Sequence, residues 1–200
     1  MNPHYHIRRA TPGDTKALYD ICLLTGDAGE DASTHYSDPM LPGHVWAGPY
    51  AALEPDFVFV LSQDDRPVGY VVGTPDTATF ENRLEREWWP RVRELLAAFR
   101  PVAALDQATL DRINTPERHD PSQLVDYPAH LHINLLPEAQ SAGWGRRMIE
   151  TQLEAMRQAG VRGLQLGVHP RNTRAKGFYE HLGFTDISLP GRVTMGMKLD

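Results

Sequence analysis

The chain has 200 residues, of which 41% are hydrophobic, and its formal net charge is −6. This composition suits one domain with a full core, and the acidic balance argues against nucleic acid as the main partner. The sequence shows no apolar run long enough to span a membrane and no start typical of a signal peptide, so we expect no membrane partner. The single Cys22 excludes an internal disulfide and fits a reducing compartment, which predicts a cytoplasmic location.

The first part of the chain predicts a strand, a helix and a hairpin around an irregular stretch. A strand at about residues 5–9 precedes a helix that Pro12 and Asp14 open and that Gly26 ends. Residues 26–55 are rich in Gly, Pro, Asp and aromatics and have little periodicity. Two β-rich runs then form the hairpin, at residues 57–61 and 68–73.

The second part predicts helices followed by alternating strands and helices. Residues 79–99 have a helical pattern with a break at Pro90, and a short helix follows at 106–113. We interpret about 75–126 as a helical insertion, which either packs on the sheet or forms a lid or dimer surface. Its apolar side chains for packing are Leu84, Trp88, Val92, Leu95 and Leu96. Strands are then predicted at 130–136, 164–168 and 192–199, and helices at 143–159 and 173–182, which favours an α/β layered domain.

A glycine-bearing turn follows the predicted strand that ends at Pro137. Its sequence is Gln140-Ser141-Ala142-Gly143-Trp144-Gly145, and Arg146 and a helical stretch come next. A strand that enters such a turn exposes unpaired backbone N–H groups at the positive end of the helix dipole, where phosphate binds. The two glycines lack a Cβ and let a ligand approach the backbone closely. Alone, such a turn is a weak signal.

A second segment about thirty residues later strengthens the signal. It runs from Asn172 through Ala175, Phe178 and Tyr179 to Phe184, and ends Leu-Gly-Phe. Together the two segments resemble the acyl-CoA-binding signature of the GCN5-related N-acetyltransferases, the GNAT superfamily. The turn differs from the common pattern at two positions, where Gln140 replaces Arg and Ser141 replaces Gly. The resemblance covers residues 129–199 well and the first seventy more loosely.

The resemblance implies a fold, a reaction and a set of residues. The fold would be a single GNAT domain over residues 1–200, α/β in class, with a mixed central sheet splayed where acetyl-CoA enters. The reaction would be transfer of an acetyl group from acetyl-CoA to a primary amine by direct attack in a ternary complex. Tyr179 would protonate the departing thiolate, and its alternative role is that of a core aromatic. The implied cofactor-binding residues are Leu135, Leu136, Gln140, Ser141, Ala142, Gly143, Trp144, Gly145, Arg146, Asn172, Ala175 and Tyr179. Asn172 is equally suited to cap the next helix.

Two histidines on one predicted strand are the candidates for the general base. His130 and His132 alternate with apolar residues, so they share one face with Asn134. Histidine titrates near neutrality and can relay a proton from an ammonium group. The pair also resembles one in the arylalkylamine N-acetyltransferases. Two structural histidines or a metal pair are the alternatives, but no third ligand has a recognisable spacing, so we predict no metal.

The acceptor is predicted to be a small-molecule or peptide amine. Residues 17–65 contain no Lys or Arg but nine acidic residues. Asp27, Glu30 and Asp31 would attract a cationic amine, unless they form only a solvated loop.

A finer resemblance links residues 18–22, 25–29 and 127–138 to the acetyltransferase-like domain of eukaryotic O-GlcNAc hydrolases and its bacterial relatives. Because transferase activity is not assured in that subgroup, the alternative is a catalytically silent acetyl-CoA-binding or interaction domain. A homodimer is a further expected partner.

Overall fold

The computed structural model describes residues 4–140 and 142–199, which form one mixed seven-stranded sheet of order β1-β2-β3-β4-β5-β7-β6. Only β4 and β5 run parallel; all other neighbours are antiparallel. The strands are β1 Tyr5–Arg9, β2 Val58–Gln63, β3 Arg66–Thr74, β4 Ala129–Leu135, β5 Gly163–Val168, β6 Thr185–Asp186 and β7 Val193–Lys198. The predicted mixed α/β architecture is therefore confirmed.

Helices cover both faces of the sheet, and the predicted break at Pro90 is real. A five-residue π-helical turn, Leu84–Trp88, precedes the helix in which Pro90 occupies the first turn, where its missing N–H has no partner to lose. In the described parts of the chain, no helix is long and apolar enough to cross a membrane. The helices are α1 Thr15–Leu24, α2 Gly43–Trp46, α3 Gly48–Leu53, α4 Thr77–Arg83, α5 Trp89–Leu95, α6 Asp106–Asn114, α7 Pro121–Asp126, α8 Trp144–Gln158 and α9 Thr173–His181.

The sheet opens between β4 and β5. These strands pair only through Ala129 with Leu164 and His130 with Gln165, and then diverge. On its other edge β4 stays paired to β3, and the N–H of Leu136 donates to the carbonyl of Val68 at 2.9 Å. Because N–H directions alternate along a strand, the N–H groups of residues 133 and 135 point into the opening. The predicted splay is confirmed.

The predicted insertion shares a second, small core with an earlier part of the chain. Trp89, Val92, Leu96 and Ile113 are buried against Leu23 at the end of α1 and against Ala32, Tyr36 and Leu41 of the segment that follows. The predicted packing is wrong for Leu95, whose side chain lies on the outer face of α5 and is 67% exposed. The insertion therefore rests mainly on residues 23–41 and forms a wall beside β4.

Candidate functional site

Two cavities lie along β4, one at each half of the strand. The first, the glycine-turn cavity, has a volume of about 540 Å³ and contacts Ile133, Asn134 and Leu135. The second, the histidine cavity, has a volume of about 140 Å³ and contacts His130 and His132. The two cavities are therefore lined by consecutive residues of one strand, just beyond the last residue pair that joins β4 to β5.

The N-termini of two helices converge on the glycine-turn cavity. Gly143 caps α8 with a φ of +77°, and a Cβ placed there would meet no atom of residues 4–140 or 142–199 within 4 Å. The N–H of Arg147 makes the first bond back to Gly143, so the N–H groups of residues 144–146 have no partner within the helix. Arg146 and Arg174 add positive charge at the two helix N-termini. This combination of N–H groups, helix dipoles and guanidinium groups suits a phosphate-bearing ligand.

The histidine cavity brings together parts of the chain that lie far apart in the sequence. β4 and β5 supply one wall, and the insertion supplies the opposite wall through Glu81, Trp89, Arg112 and His119. Tyr50 closes the inner end, and Arg192 contributes from the segment before β7. The cavity is therefore aromatic, carries groups of both charges, and has imidazoles on two sides.

His130 is held on both ring nitrogens. Its Nε2 shares a hydrogen bond of 2.6 Å with the hydroxyl of Tyr50, and its Nδ1 shares one of 2.7 Å with the hydroxyl of Thr77. Burial, helped by the charges of His119 and His132, lowers the pKa of His130 well below its usual range. Its geometry is that of a neutral histidine satisfied by its neighbours.

The sequence profile described as the acetyltransferase (GNAT) family matches residues 27–184. The chain belongs to this family. Its structure superposes on the crystal structure of SsHAT with a TM-score of 0.87 at 35% identity, covering 99% of this chain and 100% of that one. The predicted superfamily is confirmed, and the chain is an acyltransferase by family.

Two further relatives extend the comparison. Protein O-GlcNAcase of Rattus norvegicus is 26% identical over 187 residues, which cover 92% of this chain. This chain spans about a fifth of that relative's length. A Salmonella typhimurium acetyltransferase, solved with its cofactor acetyl-CoA, has the same fold, with a TM-score of 0.58 at 14% identity, covering 98% of this chain and 95% of that one. The finer resemblance to the acetyltransferase-like domain is thus supported, and acetyl-CoA is a cofactor that the family uses.

Seven of the twelve predicted cofactor-binding residues line the glycine-turn cavity, and four of the described ones do not. Leu136 is buried and gives its N–H to β3, while Trp144 stacks on Tyr5 with ring centroids 5.4 Å apart. Tyr179 does not line the cavity, Ala142 is exposed on the turn, and Ser141 lies outside the described residues. The signature residues that line the cavity are Leu135, Gln140, Gly143, Gly145, Arg146, Asn172 and Ala175.

Asn172 caps α9 and also holds the segment that follows α1. Its Oδ1 accepts from the N–H of Ala175 at 3.0 Å, so the capping alternative is confirmed. Its Nδ2 donates to the carbonyl of Ala28 at 2.9 Å, while Asn134 on β4 donates to Thr25. Residues 25–30 therefore bridge the two sides of the glycine-turn cavity.

The acidic residues predicted to hold the acceptor lie away from the histidine cavity. Glu30 lines the glycine-turn cavity, and Asp27 pairs with Arg171 at 2.6 Å. Asp31 is exposed and accepts from the N–H of Ser33 at 2.8 Å. None of the three lines the histidine cavity.

Tyr179 lies one helical turn beyond Ala175, on the same face of α9. Its ring packs between Phe178 and Phe184, with centroid distances of 5.3 and 5.5 Å, and it is 8% exposed. Burial raises the pKa of its phenol, which therefore keeps its proton at neutral pH.

Sequence reasoning missed most of the histidine cavity. Tyr50, Glu81, His119 and Arg192 line it, yet none belongs to a motif with a recognisable spacing. The only signal was the composition of the loop before α7, which is polar and contains His119. Of the described residues, no group of three or more His, Cys, Asp or Glu could hold a metal ion.

We expect His132 to be neutral at physiological pH. Burial, followed by the positive charges of His119, Arg192 and Arg112, lowers its pKa from 6.5 to about 4. Between these two values the unfolded chain binds more protons than the folded one. The contribution of neutral His132 to the free energy of unfolding is therefore complete above pH 6.5 and is lost as the pH falls toward 4. An NMR titration should move the His132 ring signals only in this acidic range; a midpoint near neutrality would contradict the assignment.

Proposed function

We propose that the chain is an acetyl-CoA-dependent N-acetyltransferase that holds acetyl-CoA in the glycine-turn cavity and a primary amine in the histidine cavity. One observation carries this proposal. The two cavities are lined by consecutive residues of one strand, His132 and Ile133, just beyond the last residue pair that joins β4 to β5. A donor entering from one cavity and an acceptor entering from the other would meet at this point, as direct transfer in a ternary complex requires.

The residues around the glycine-turn cavity fit the donor. The N–H groups at the start of α8, with Arg146 and Arg174, suit the phosphates. The N–H groups of Ile133 and Leu135 point into the opening and offer an unpaired strand edge to the amide-bearing pantetheine arm. Acetyl-CoA supplies an acetyl group activated as a thioester.

The residues around the histidine cavity fit the acceptor. Glu81 and Glu85 place carboxylate oxygens on its wall, which can accept hydrogen bonds from an amine beside the guanidinium groups of Arg112, Arg118 and Arg192. In the reaction, the neutral amine nitrogen forms the C–N bond and gives up one proton, which balances the proton that the sulfur takes up, while the C–S bond breaks and its electron pair leaves with the CoA sulfur. Tyr179, which keeps its proton, is the group that we assign to protonate that sulfur.

The test combines binding and turnover. Wild-type protein and Tyr179→Phe are titrated with acetyl-CoA by calorimetry and then assayed for CoA thiol release with a panel of small and peptide amines. We expect equal acetyl-CoA affinity but a kcat about 100-fold lower in the variant, because general acid catalysis contributes about that much. Tyr127→Phe is the matched control, since its ring lies beside Lys198 and lines neither cavity.

A catalytically silent acetyl-CoA-binding domain is the second candidate. The observation that favours it is the enclosure of Tyr179 between two phenylalanines, away from the cavity lining. Acetyl-CoA binding without thiol release on any amine would select this candidate. Failure of the wild type to bind acetyl-CoA would refute both.

A further inference from the structure

A carboxylate–histidine pair stands on the insertion wall of the histidine cavity. Glu81 on α4 accepts two hydrogen bonds at Oε1, from the backbone N–H of His119 at 2.9 Å and from its Nδ1 at 2.8 Å. A carboxylate only accepts, so Nδ1 carries a proton, and in the neutral imidazole Nε2 is the nitrogen with the free lone pair. The side chains are 12% and 22% exposed, which leaves the imidazole accessible from the cavity.

The ring of His119 is also fixed against β4. It stacks on His130 with centroids 5.0 Å apart and an interplanar angle of 17°. The loop that carries it is tied down by Arg118, which donates to Asn82 at 2.9 Å and lies 3.8 Å from the second oxygen of Glu81. The imidazole is thereby held beside His130 on β4, on the wall of the histidine cavity.

The other imidazoles of the cavity are poorly suited to accept a proton. Both nitrogens of His130 are engaged by Tyr50 and Thr77. The pKa of His132, at about 4, makes it a weak base near neutrality, and an effective general base has a pKa near the working pH. His119 is the imidazole that combines an available nitrogen with a carboxylate that orients it.

We propose that His119 is the general base of the acetyl transfer and that Glu81 is its positioning residue. The inference rests on the proposed function. Nε2 of His119 takes a proton from the acceptor ammonium, and the freed nitrogen lone pair forms the bond to the acetyl carbon as the C–S bond breaks. The imidazolium that results faces the carboxylate of Glu81. The other titratable and charged groups around it are Glu117 and Arg118 on its own loop, Tyr50 on α3, His130 and His132 on β4, Glu85 and Arg112 on the insertion, and Arg192 before β7.

The test compares two small acceptors that differ in protonation. Ethylamine is an ammonium ion at neutral pH and needs a base, whereas hydroxylamine is uncharged there and does not. Wild type, His119→Gln, Glu81→Gln and His4→Gln are assayed with acetyl-CoA and each amine. His4 is exposed and lines neither cavity, so its variant is the matched control.

We expect His119→Gln to lower kcat/KM for ethylamine by about 100-fold or more, and for hydroxylamine by less than about tenfold, with acetyl-CoA affinity within about twofold of wild type. Glu81→Gln keeps an oxygen acceptor but loses the charge, so its loss on ethylamine should be smaller and in the same direction. It also gives an independent result if His119→Gln fails to fold.

Three outcomes would overturn the inference. Equal losses of kcat/KM on both amines would show a structural role. No loss on either amine would show that His119 and Glu81 take no part in the reaction. A wild type that binds acetyl-CoA and acetylates neither amine would contradict the transferase function together with the base. If the wild type does not bind acetyl-CoA, the proposed function itself fails at the binding step. That result is therefore distinguished from a failure of the general-base assignment alone.

Discussion

Replacing Gly143 by Glu is expected to weaken acetyl-CoA binding by at least about 100-fold, which corresponds to about 2.8 kcal/mol. Gly143 caps α8 at the edge of the glycine-turn cavity. A carboxylate at this position would repel phosphate and would itself accept from the N–H groups at the start of the helix. Among the described residues, no atom lies within 4 Å of a Cβ there, so the side chain has room to occupy the proposed phosphate position.

Gly160→Glu is the matched control for this substitution. Gly160 follows the other end of α8 and has a φ of +74°, against +77° for Gly143, and its Cβ would also meet nothing within 4 Å. The free energy of unfolding should therefore fall by a similar amount in both variants, about 1 kcal/mol, because a side chain is strained in the left-handed backbone conformation. Because α8 has 15 residues, the two sites are separated by roughly 22 Å.

Calorimetric titration with acetyl-CoA, together with thermal melting, separates strain from loss of the site. The expected result is a comparable fall in melting temperature for both variants, with binding lost only in Gly143→Glu. Wild-type affinity in Gly143→Glu would place the phosphates elsewhere and refute the assignment of this turn. Equal loss of affinity in both variants would mean that backbone strain, and not the position of the carboxylate, controls binding.

The elements of the sheet could be predicted because their signals are local. β4 alternates polar and apolar residues, and the six-residue turn after it contains Gly143 and Gly145. The position of α9 followed from its cap, Asn172, and the break before α5 followed from Pro90. Such signals depend on periodicity and backbone chemistry, which neighbouring residues determine.

The histidine cavity could not be predicted because it depends on contacts between distant segments. Tyr50 and His130 are 80 residues apart, Thr77 and His130 are 53 apart, and Glu81 and His119 are 38 apart. The short helices α2 and α3 also lacked a signal, since four and six residues are too few to show a period. Their positions follow from burial of Gly43 and Gly48 against Tyr19, where any side chain would clash.

Gly163→Ala is expected to destabilise the fold by about 3 kcal/mol, near the upper range for overpacking. A Cβ at Gly163 would lie 2.1 Å from the carbonyl oxygen of Asp126, a backbone atom that a side-chain rotation cannot move. The next residue, Leu164, pairs with Ala129 in one of the two residue pairs that join β5 to β4. The methyl group therefore forces apart the segment before β4 and the start of β5.

The same strand provides the control. Gly167→Ala adds the same methyl group where nothing lies within 4 Å, so its free energy of unfolding should stay within about 0.5 kcal/mol of wild type. Urea unfolding of the two variants gives the comparison, and equal stabilities would show that the Asp126 carbonyl relaxes freely. Because β4 and β5 are joined by only two residue pairs, displacement at Gly163 should also alter the opening beyond them. We therefore expect Gly163→Ala, where it folds, to bind acetyl-CoA more weakly than Gly167→Ala, which leaves that junction intact.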